Sequence, residues 1–299
     1  MVVKDKHLKN YILIMLSGCL WGTIGLFVKL LDTVDSSSAY TTFMRMFFGF
    51  ILLFLITLVK DGISAFRVSR NTMISCILLG IVSQSMNSFC YTNAVSRVGM
   101  SLGVALLYMA PVFTSIESKI FFKEKIGPYK IIALVVNVAG CVLAVTGGNF
   151  GGITISAVGI AFGIAAAFCY STQNIFGRLA TDDGTPMAVA TYCFMWAAIF
   201  TAVAMRPWRT VANPLEPRLL LYGVLFALIP TAFAYILYFN GIQGLTETSK
   251  VPVLCSMEVV VATILGVVVF KEQIGIVNGI GMLCVLASIV IMNMGKKEE

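Results

Sequence analysis

Residues 21–30, WGTIGLFVKL, return at 170–179 as YSTQNIFGRL. Trp21 falls on Tyr170, Thr23 on Thr172, Phe27 on Phe176, Lys29 on Arg178 and Leu30 on Leu179, an offset of 149 residues. Further along, Phe122-Lys123-Glu124-Lys125-Ile126-Gly127 meets Phe270-Lys271-Glu272-Gln273-Ile274-Gly275 at an offset of 148, and Tyr91-x-Asn93 meets Tyr238-x-Asn240 at 147. The register drifts by single residues, as diverged copies do. Each half, 1–149 and 150–299, holds five long apolar segments, and the uncharged run Gly147-Gly148-Asn149-Phe150-Gly151-Gly152 lies at the junction. An odd number of spans per half inverts the second copy in a membrane, and inverted repeats recur in secondary transporters because similar halves facing opposite ways can alternate access to a site near the midplane.

Composition points the same way. Apolar residues make up 59% of the chain and charged residues only 12%, about half the share of a soluble domain (~25%). About 20 apolar residues cross the hydrocarbon core as a helix. Ten such windows can be drawn: 11–31, 38–59, 73–95, 100–121, 128–147, 157–179, 188–205, 219–240, 248–270 and 276–294. Backbone groups in lipid must be satisfied within the segment, and the alternation of barrel strands is absent. The prediction is an all-α integral membrane protein of ten transmembrane helices, arranged as two inverted five-helix repeats.

The net charge of +7 is explained by topology rather than by nucleic acid. With the N-terminus inside, fourteen Lys and Arg residues fall on the cytoplasmic side and five on the other, while Lys29 and Arg45 lie within spans. This bias predicts a multi-pass protein of the cell membrane with both termini cytoplasmic, although Arg206, Arg209 and Arg218 run against it. The first window is too long for a signal-peptide core and has no small-x-small cleavage site at its end.

Neither a cofactor nor a metal is predicted. All eight cysteines fall inside apolar windows without CxxC spacing and read as small packing residues. The pairs Gly18-x3-Gly22, Gly159-x3-Gly163 and Gly275-x3-Gly279 let helices approach closely, within the monomer or, for the last, across a homodimer face. Gly99-Met100-Ser101-Leu102-Gly103 fits the G-x-S-x-G pattern of hydrolases, but it opens a membrane helix instead of following a strand. The one histidine, His7, lies in the N-terminal tail, so Ser101 has no histidine base in the membrane core. An enzyme is not predicted.

Polar groups at membrane depth are the functional candidates. Glu258 lies near the centre of the ninth window, where an unpaired charge costs about 3 kcal/mol even on the lenient insertion scale. It must be protonated, paired or facing a wet cavity; a structural pair, for instance with Arg45, and a functional role both stand. Arg45 either snorkels to the surface or serves pairing or gating. Glu117, beside Lys119, reads as an interfacial pair. Lys29 and Arg178, at equivalent repeat positions, read as helix-end anchors. Gln84, Asn87 and Tyr91 are spaced to line one face of the third helix. Tyr170 and Asn174 do so on the sixth, and Thr231, Tyr235 and Tyr238 on the eighth, with Trp21 and Tyr108 near mid-depth. The set suits an aromatic-walled cavity for a small amphipathic solute, although Tyr91 and Tyr238 serve equally as interface anchors. Pro111, Pro230 and Pro252 lie within helices and predict bends or freed carbonyls.

The chain resembles the ten-helix EamA-type members of the drug/metabolite transporter superfamily over nearly its whole length. The residues that carry this are Leu20-Trp21-Gly22-Thr23, then Tyr108-Met109-Ala110-Pro111-Val112 followed by Glu124, and Met257-Glu258-Val259 followed by Phe270-Lys271-Glu272. Such proteins often have Glu-Pro in the ninth helix; here Val259 takes the proline's place, which leaves a proline-dependent bend there open. The resemblance implies a carrier for amino acids, other metabolites or amphipathic drugs, commonly an exporter, with a central cavity built from helices 1, 3, 4, 6, 8 and 9.

Residues and resemblance together predict a secondary active transporter that moves small metabolites by alternating access. Trp21, Tyr91, Tyr108, Tyr170 and Tyr235 would pack the solute, Gln84, Asn87 and Asn174 would orient it, and Glu258 would bind an amine or exchange a proton. An uncoupled uniporter and a membrane lipid enzyme are the competing readings. The expected partners are the solute and the lipid bilayer.

Overall fold

The computed structural model describes residues 2–34, 36–149, 156–210, 213, 215–245, 247–271 and 275–294, without the side chains of 2–7, 100 and 101. Ten helices among them are long and apolar enough to cross a membrane: α1 Leu8–Asp32, α2 Ser38–Asp61, α3 Arg70–Val98, α4 Leu102–Phe122, α5 Pro128–Thr146, α6 Ala157–Asp183, α7 Pro186–Met205, α8 Pro217–Ile242, α9 Thr248–Phe270 and α10 Ile276–Met294. No strand occurs among the described residues. Most helices outrun the apolar windows by a few residues, because helical hydrogen bonding continues into polar ends such as Arg70 and Asp182. Ends are set by local chemistry. Ser37, Ser69 and Thr185 accept from the amides of Tyr40, Thr72 and Ala188 to cap α2, α3 and α7.

The helices group into two compact units, and each unit draws on both sequence halves. One joins Met1–Ser85 to Phe176–Leu245; the other joins Met86–Ile175 to Thr246–Glu299. Helices α3 and α6 therefore contribute a part to each. In the first unit, Thr57 of α2 bonds Thr191 of α7 at 2.9 Å, and a Cβ on Gly80 of α3 would fall 2.5 Å from the Cys193 carbonyl oxygen. The α7 window, the shortest one read from the sequence, buries Met187 to Thr191, Cys193, Phe194, Ala197, Ala198 and Thr201.

The second unit is centred on α5 against α10. Gly140 and Gly281 bring the two backbones together, and a Cβ on Gly281 would land on the backbone of Ala144. Gly159 and Gly163 of α6 lie beneath Val98 and Leu106, as expected of a packing pair. The pair Gly275-x3-Gly279 does not pack within the monomer: nothing lies within 4 Å of a Cβ on Gly279, and Gly275 meets only Asn278. Close packing of α10 uses Gly281 instead, six residues beyond Gly275.

Burial is arranged for lipid. Val59, Ile120, Val135, Val203 and Leu283 are exposed, whereas Thr57, Thr114, Asn137, Ser171 and Ser288 are buried completely. Inside, Asn137 of α5 donates to Ser288 of α10 at 3.0 Å and accepts from Ser256 of α9 at 3.1 Å. One amide thus ties three helices.

A Gly281→Val substitution should overpack the α5–α10 contact and cost about 1–3 kcal/mol, read as a lowered unfolding midpoint in detergent. Gly279→Ala, with open space around it, should leave that midpoint unchanged.

Candidate functional site

Five of the ten described spans are interrupted, and four of the interruptions pair across the repeat. In α4 the regular ladder breaks at Tyr108–Met109, where Met109 N–H bonds Leu106 O at 3.1 Å and Val112 N–H bonds Met109 O at 3.0 Å. In α9 it loosens at Ser256, whose N–H is shared between Pro252 O at 3.1 Å and Val253 O at 3.3 Å, and Val259 N–H bonds Ser256 O at 3.0 Å. Met109 and Ser256 stand 147 residues apart, the offset that relates Tyr91 to Tyr238. Pro111 accounts for the first break, since it has no N–H to offer. The second occurs with Val259 in the proline's place, so that proline is not needed; there Ser256 Oγ also reaches the Pro252 carbonyl, at 2.9 Å.

The third helix of each half widens into π-helical turns, Leu79–Met86 in α3 and Leu228–Phe233 in α8. A π turn leaves carbonyls poorly served, and in both a side-chain hydroxyl reaches the carbonyl five residues back: Ser85 to Gly80 at 3.0 Å and Thr231 to Phe226 at 3.2 Å. Helix α1 breaks at Gly22–Thr23, but α6 runs unbroken through the equivalent Ser171–Thr172. Broken helices at membrane depth are tolerated where they line a cavity or lie within protein, and transporters build their sites on them.

In the first unit the break in α1 and the π turns of α3 and α8 adjoin a cluster of aromatic rings. Trp21, at the break in α1, lies 5.2 Å from Tyr235 and 5.3 Å from Tyr238, centroid to centroid, and Tyr235 meets Phe194 edge-on at 4.7 Å. Gln84 Nε2 donates to the Tyr235 hydroxyl at 2.7 Å. Trp21 is only 4% exposed, yet its indole N–H has no acceptor. A buried donor left bare costs about 1–3 kcal/mol unless something occupies it. Arg45 Nε donates to Thr231 Oγ1 at 3.2 Å, and its guanidinium rests over Phe226 at 5.5 Å. It is turned inward onto the π segment of α8.

The second unit holds the acid. Glu258 lies in the first turn of the helical segment Met257–Phe270, just past the break. Unsatisfied amides and the helix dipole favour a carboxylate there. The Tyr108 hydroxyl donates to Glu258, and Tyr91 lies within its electrostatic reach. Tyr108 packs on the cluster formed by Cys141, Ala144, Val259, Val260 and Val285. Tyr91, Tyr108 and Glu258 are half-buried.

The profile of the EamA-like transporter family matches residues 8–146 and again 157–294, one match for each run of five helices. The chain belongs to the EamA-like transporter family. A protein of Archaeoglobus fulgidus named an uncharacterized transporter is 25% identical over 279 residues, covering 93% of this chain and 94% of its own. The Salmonella typhimurium uncharacterized inner membrane transporter YicL is 20% identical, covering 97% of each chain. A solved crystal structure matches with a TM-score of 0.80 over 97% of both chains at 18% identity, a likeness of fold.

Within this EamA-like transporter the predicted residues fall into separate groups. Trp21, Gln84 and Tyr235 meet in one unit, and Tyr91, Tyr108 and Glu258 in the other. The stripe Gln84-Asn87-Tyr91 does not act as one face: Gln84 bonds Tyr235, whereas Asn87 donates to the Ala166 carbonyl at 2.8 Å. The π turns up to Met86 alter the rotation per residue, so a 3.6-residue period fails across them. Asn174 donates to Thr114 at 3.1 Å, tying α6 to α4, while Tyr170 is half-buried. Tyr238 is fully buried, which removes its reading as an interface anchor. The Ser101 side chain, the junction residues 150–155 and Glu272 lie outside the described residues.

Two acids in this transporter depart from the sequence reading. Glu117 is buried at 7% exposure and accepts from Ser171 at 2.7 Å, while Lys119 points outward, so no interfacial pair forms. Glu124 caps the start of α9, accepting from the amides of Thr248 at 2.7 Å and Ser249 at 3.1 Å and from the Ser249 hydroxyl. Beside it Glu247 bridges Lys130 at 2.9 Å and Lys250 at 2.6 Å. Nothing in spacing alone marks either contact; the recurrent Phe-Lys-Glu is the nearest signal, with Lys123 and Lys271 both left-handed at their helix ends.

Burial raises the Glu247 carboxyl, but hydrogen bonds and charge from Lys250 and Lys130 outweigh it and hold the group below its ordinary 4.5. A depressed carboxylate stabilises the fold above its unfolded value and loses that contribution as pH falls through the folded one. Glu247→Gln should therefore be less stable than wild type at neutral pH. The gap between their unfolding midpoints should close below about pH 4.

Proposed function

We propose that this EamA-like transporter is a secondary active carrier for amino acids or related amphipathic solutes, working as an exporter in the plasma membrane with both termini cytoplasmic. The observation that carries the coupling is Glu258 at the break in α9, a half-buried carboxyl held by Tyr108 and close to Tyr91. A carboxyl at membrane depth is costly as an unpaired charge and serves naturally either as a proton carrier or as the partner of a substrate amine. Discontinuous helices in both repeats supply the bistable parts that alternating access requires.

The solute class follows from the aromatic residues. In this reading Trp21, Tyr91, Tyr108, Tyr170 and Tyr235 pack the apolar body, and Gln84, Asn87 and Asn174 exchange their bonds to Tyr235, the Ala166 carbonyl and Thr114 for the solute's polar groups. The bare indole N–H of Trp21 calls for an acceptor, which a solute carboxylate or carbonyl would provide. Arg45, held on Thr231, is proposed as a gating residue. The first repeat is taken as 1–149 and the second as 150–299.

The test is purified protein in sealed proteoliposomes with an internal pH dye, screened against amino-acid and aromatic-cation pools. Wild type should show solute-dependent proton movement that Glu258→Gln abolishes. Isotope flux with no pH signal would leave an uncoupled facilitator and sink the coupling. Trp21→Phe keeps a ring but removes the donor. It should raise KM about two- to tenfold at unchanged maximal rate, the worth of one hydrogen bond of ~0.5–1.5 kcal/mol.

A further inference from the structure

Helices α4 and α6 enclose a polar patch in the second unit of which the proposed site uses only Asn174. Glu117, Thr114, Ser171 and Asn174 are each at least nine-tenths buried. Asn174 Nδ2 donates to Thr114 Oγ1 at 3.1 Å, Ser171 Oγ lies 2.7 Å from Glu117 Oε1, and Glu117 Oε2 has no hydrogen-bond partner. Glu117 has no acidic counterpart in the second half: offsets of 147 to 149 place Ile264, Leu265 and Gly266 there. The repeat therefore does not require an acid at this position.

The Ser171 hydroxyl decides what the acid can do. It has one proton and two acceptors at 2.7 Å, Glu117 Oε1 and the carbonyl of Phe168. When Glu117 is ionised, the hydroxyl donates to Oε1 and leaves Oε2 bare. When a proton is carried on Oε1, the carboxyl donates to Ser171 Oγ, and Ser171 passes its own hydrogen to the Phe168 carbonyl. One hydroxyl thus serves both states, and the neutral state completes the chain of donors. Burying a carboxylate with a single donor and no cation is expensive, so the neutral acid is the form the patch favours at rest.

A monovalent cation fits less well. Thr114 Oγ1 is occupied by Asn174 and Ser171 Oγ by the carboxyl. Ser118, also buried without a partner, is turned about 100° around the helix from Glu117. The titratable neighbours offer no counter-charge. On α6 Cys169 lies within electrostatic reach of Glu117 and Tyr170 is half-buried beside Ser171, Lys119 on the same helix as Glu117 faces outward, and Glu124, Glu247, Lys130 and Lys250 are engaged with partners at the ends of α4, α5 and α9. Glu258 on α9 is bonded to Tyr108.

We propose that Glu117 is a second, exchangeable proton-binding site, separate from Glu258 and relayed through Ser171. This deepens the reading of the chain as a proton-coupled carrier, but it can be tested without transport. The experiment is an infrared pH titration of the purified full-length protein in detergent, in a Glu258→Gln background so that the other central acid is silent. A protonated-carboxyl C=O band should be present at neutral pH, disappear reversibly on alkalinisation, and be lost completely in Glu258→Gln/Glu117→Gln. Ser171→Ala, which removes the hydrogen-bond partner but keeps the acid, should shift the band if the double variant does not fold. A band missing at neutral pH, insensitive to alkali, or unmoved by both substitutions overturns the proposal. Failure of solute-evoked proton movement in proteoliposomes would count against the Glu258 reading and leave this band as it is.

Discussion

Every peptide group placed in hydrocarbon must find its hydrogen bond inside the protein, because lipid supplies none and each orphan costs several kcal/mol. That constraint shapes the chain more than any single contact. It makes the ten spans helical, and it makes each break in them an event that needs compensation. At the break in α4 the backbone tightens to three-residue bonds, and in α9 the Ser256 amide is shared between the Pro252 and Val253 carbonyls while its hydroxyl adds a bond to the first. In the π turns Ser85 and Thr231 reach carbonyls five residues back. These repairs recur at equivalent positions in both halves, so the broken helix belongs to the repeat itself.

The same constraint explains why the interior is more polar than the exterior. Apolar side chains gain little by facing one another rather than lipid, so helices associate through close backbone approach and hydrogen bonds. Gly140 and Gly281 provide the first between α5 and α10. Asn137 provides the second, bonding Ser288 and Ser256 at once. Near the ends of the spans charge takes over: Glu124 caps α9 and Glu247 bridges two lysines.

Against this background two acids and one indole stand out. Glu258 follows a break, in the first turn of the helical segment that begins there and bonded to Tyr108. Glu117 lies inside an unbroken half-helix with a single donor, which favours the neutral form. The Trp21 N–H has lost water and gained no protein acceptor. Unsatisfied buried groups are few in folded proteins, and each calls for a physical explanation.

Hydropathy and internal repetition determined the ten helices, their number per half and the family, because both are periodic properties of the chain that survive without coordinates. The window ends shifted by only a few residues, since a helix stops at its capping chemistry and not where apolarity ends. Spacing also picked out Trp21 and Tyr235, which are buried, and Tyr108 and Glu258, which are half-buried. What it could not determine was which of them meet. Gln84 and Asn87 look like one stripe in a regular helix but are separated by π turns, whose period composition does not encode. Glu117 looked interfacial from its place near the end of a window, yet the α6 face carrying Ser171 encloses it. The regrouping of both halves into two compact units, each with parts of α3 and α6, depends on packing between segments far apart in sequence. Only tertiary structure decides that, because hydrogen bonds and close approaches between helices depend on rotation about their axes, to which apolarity is blind.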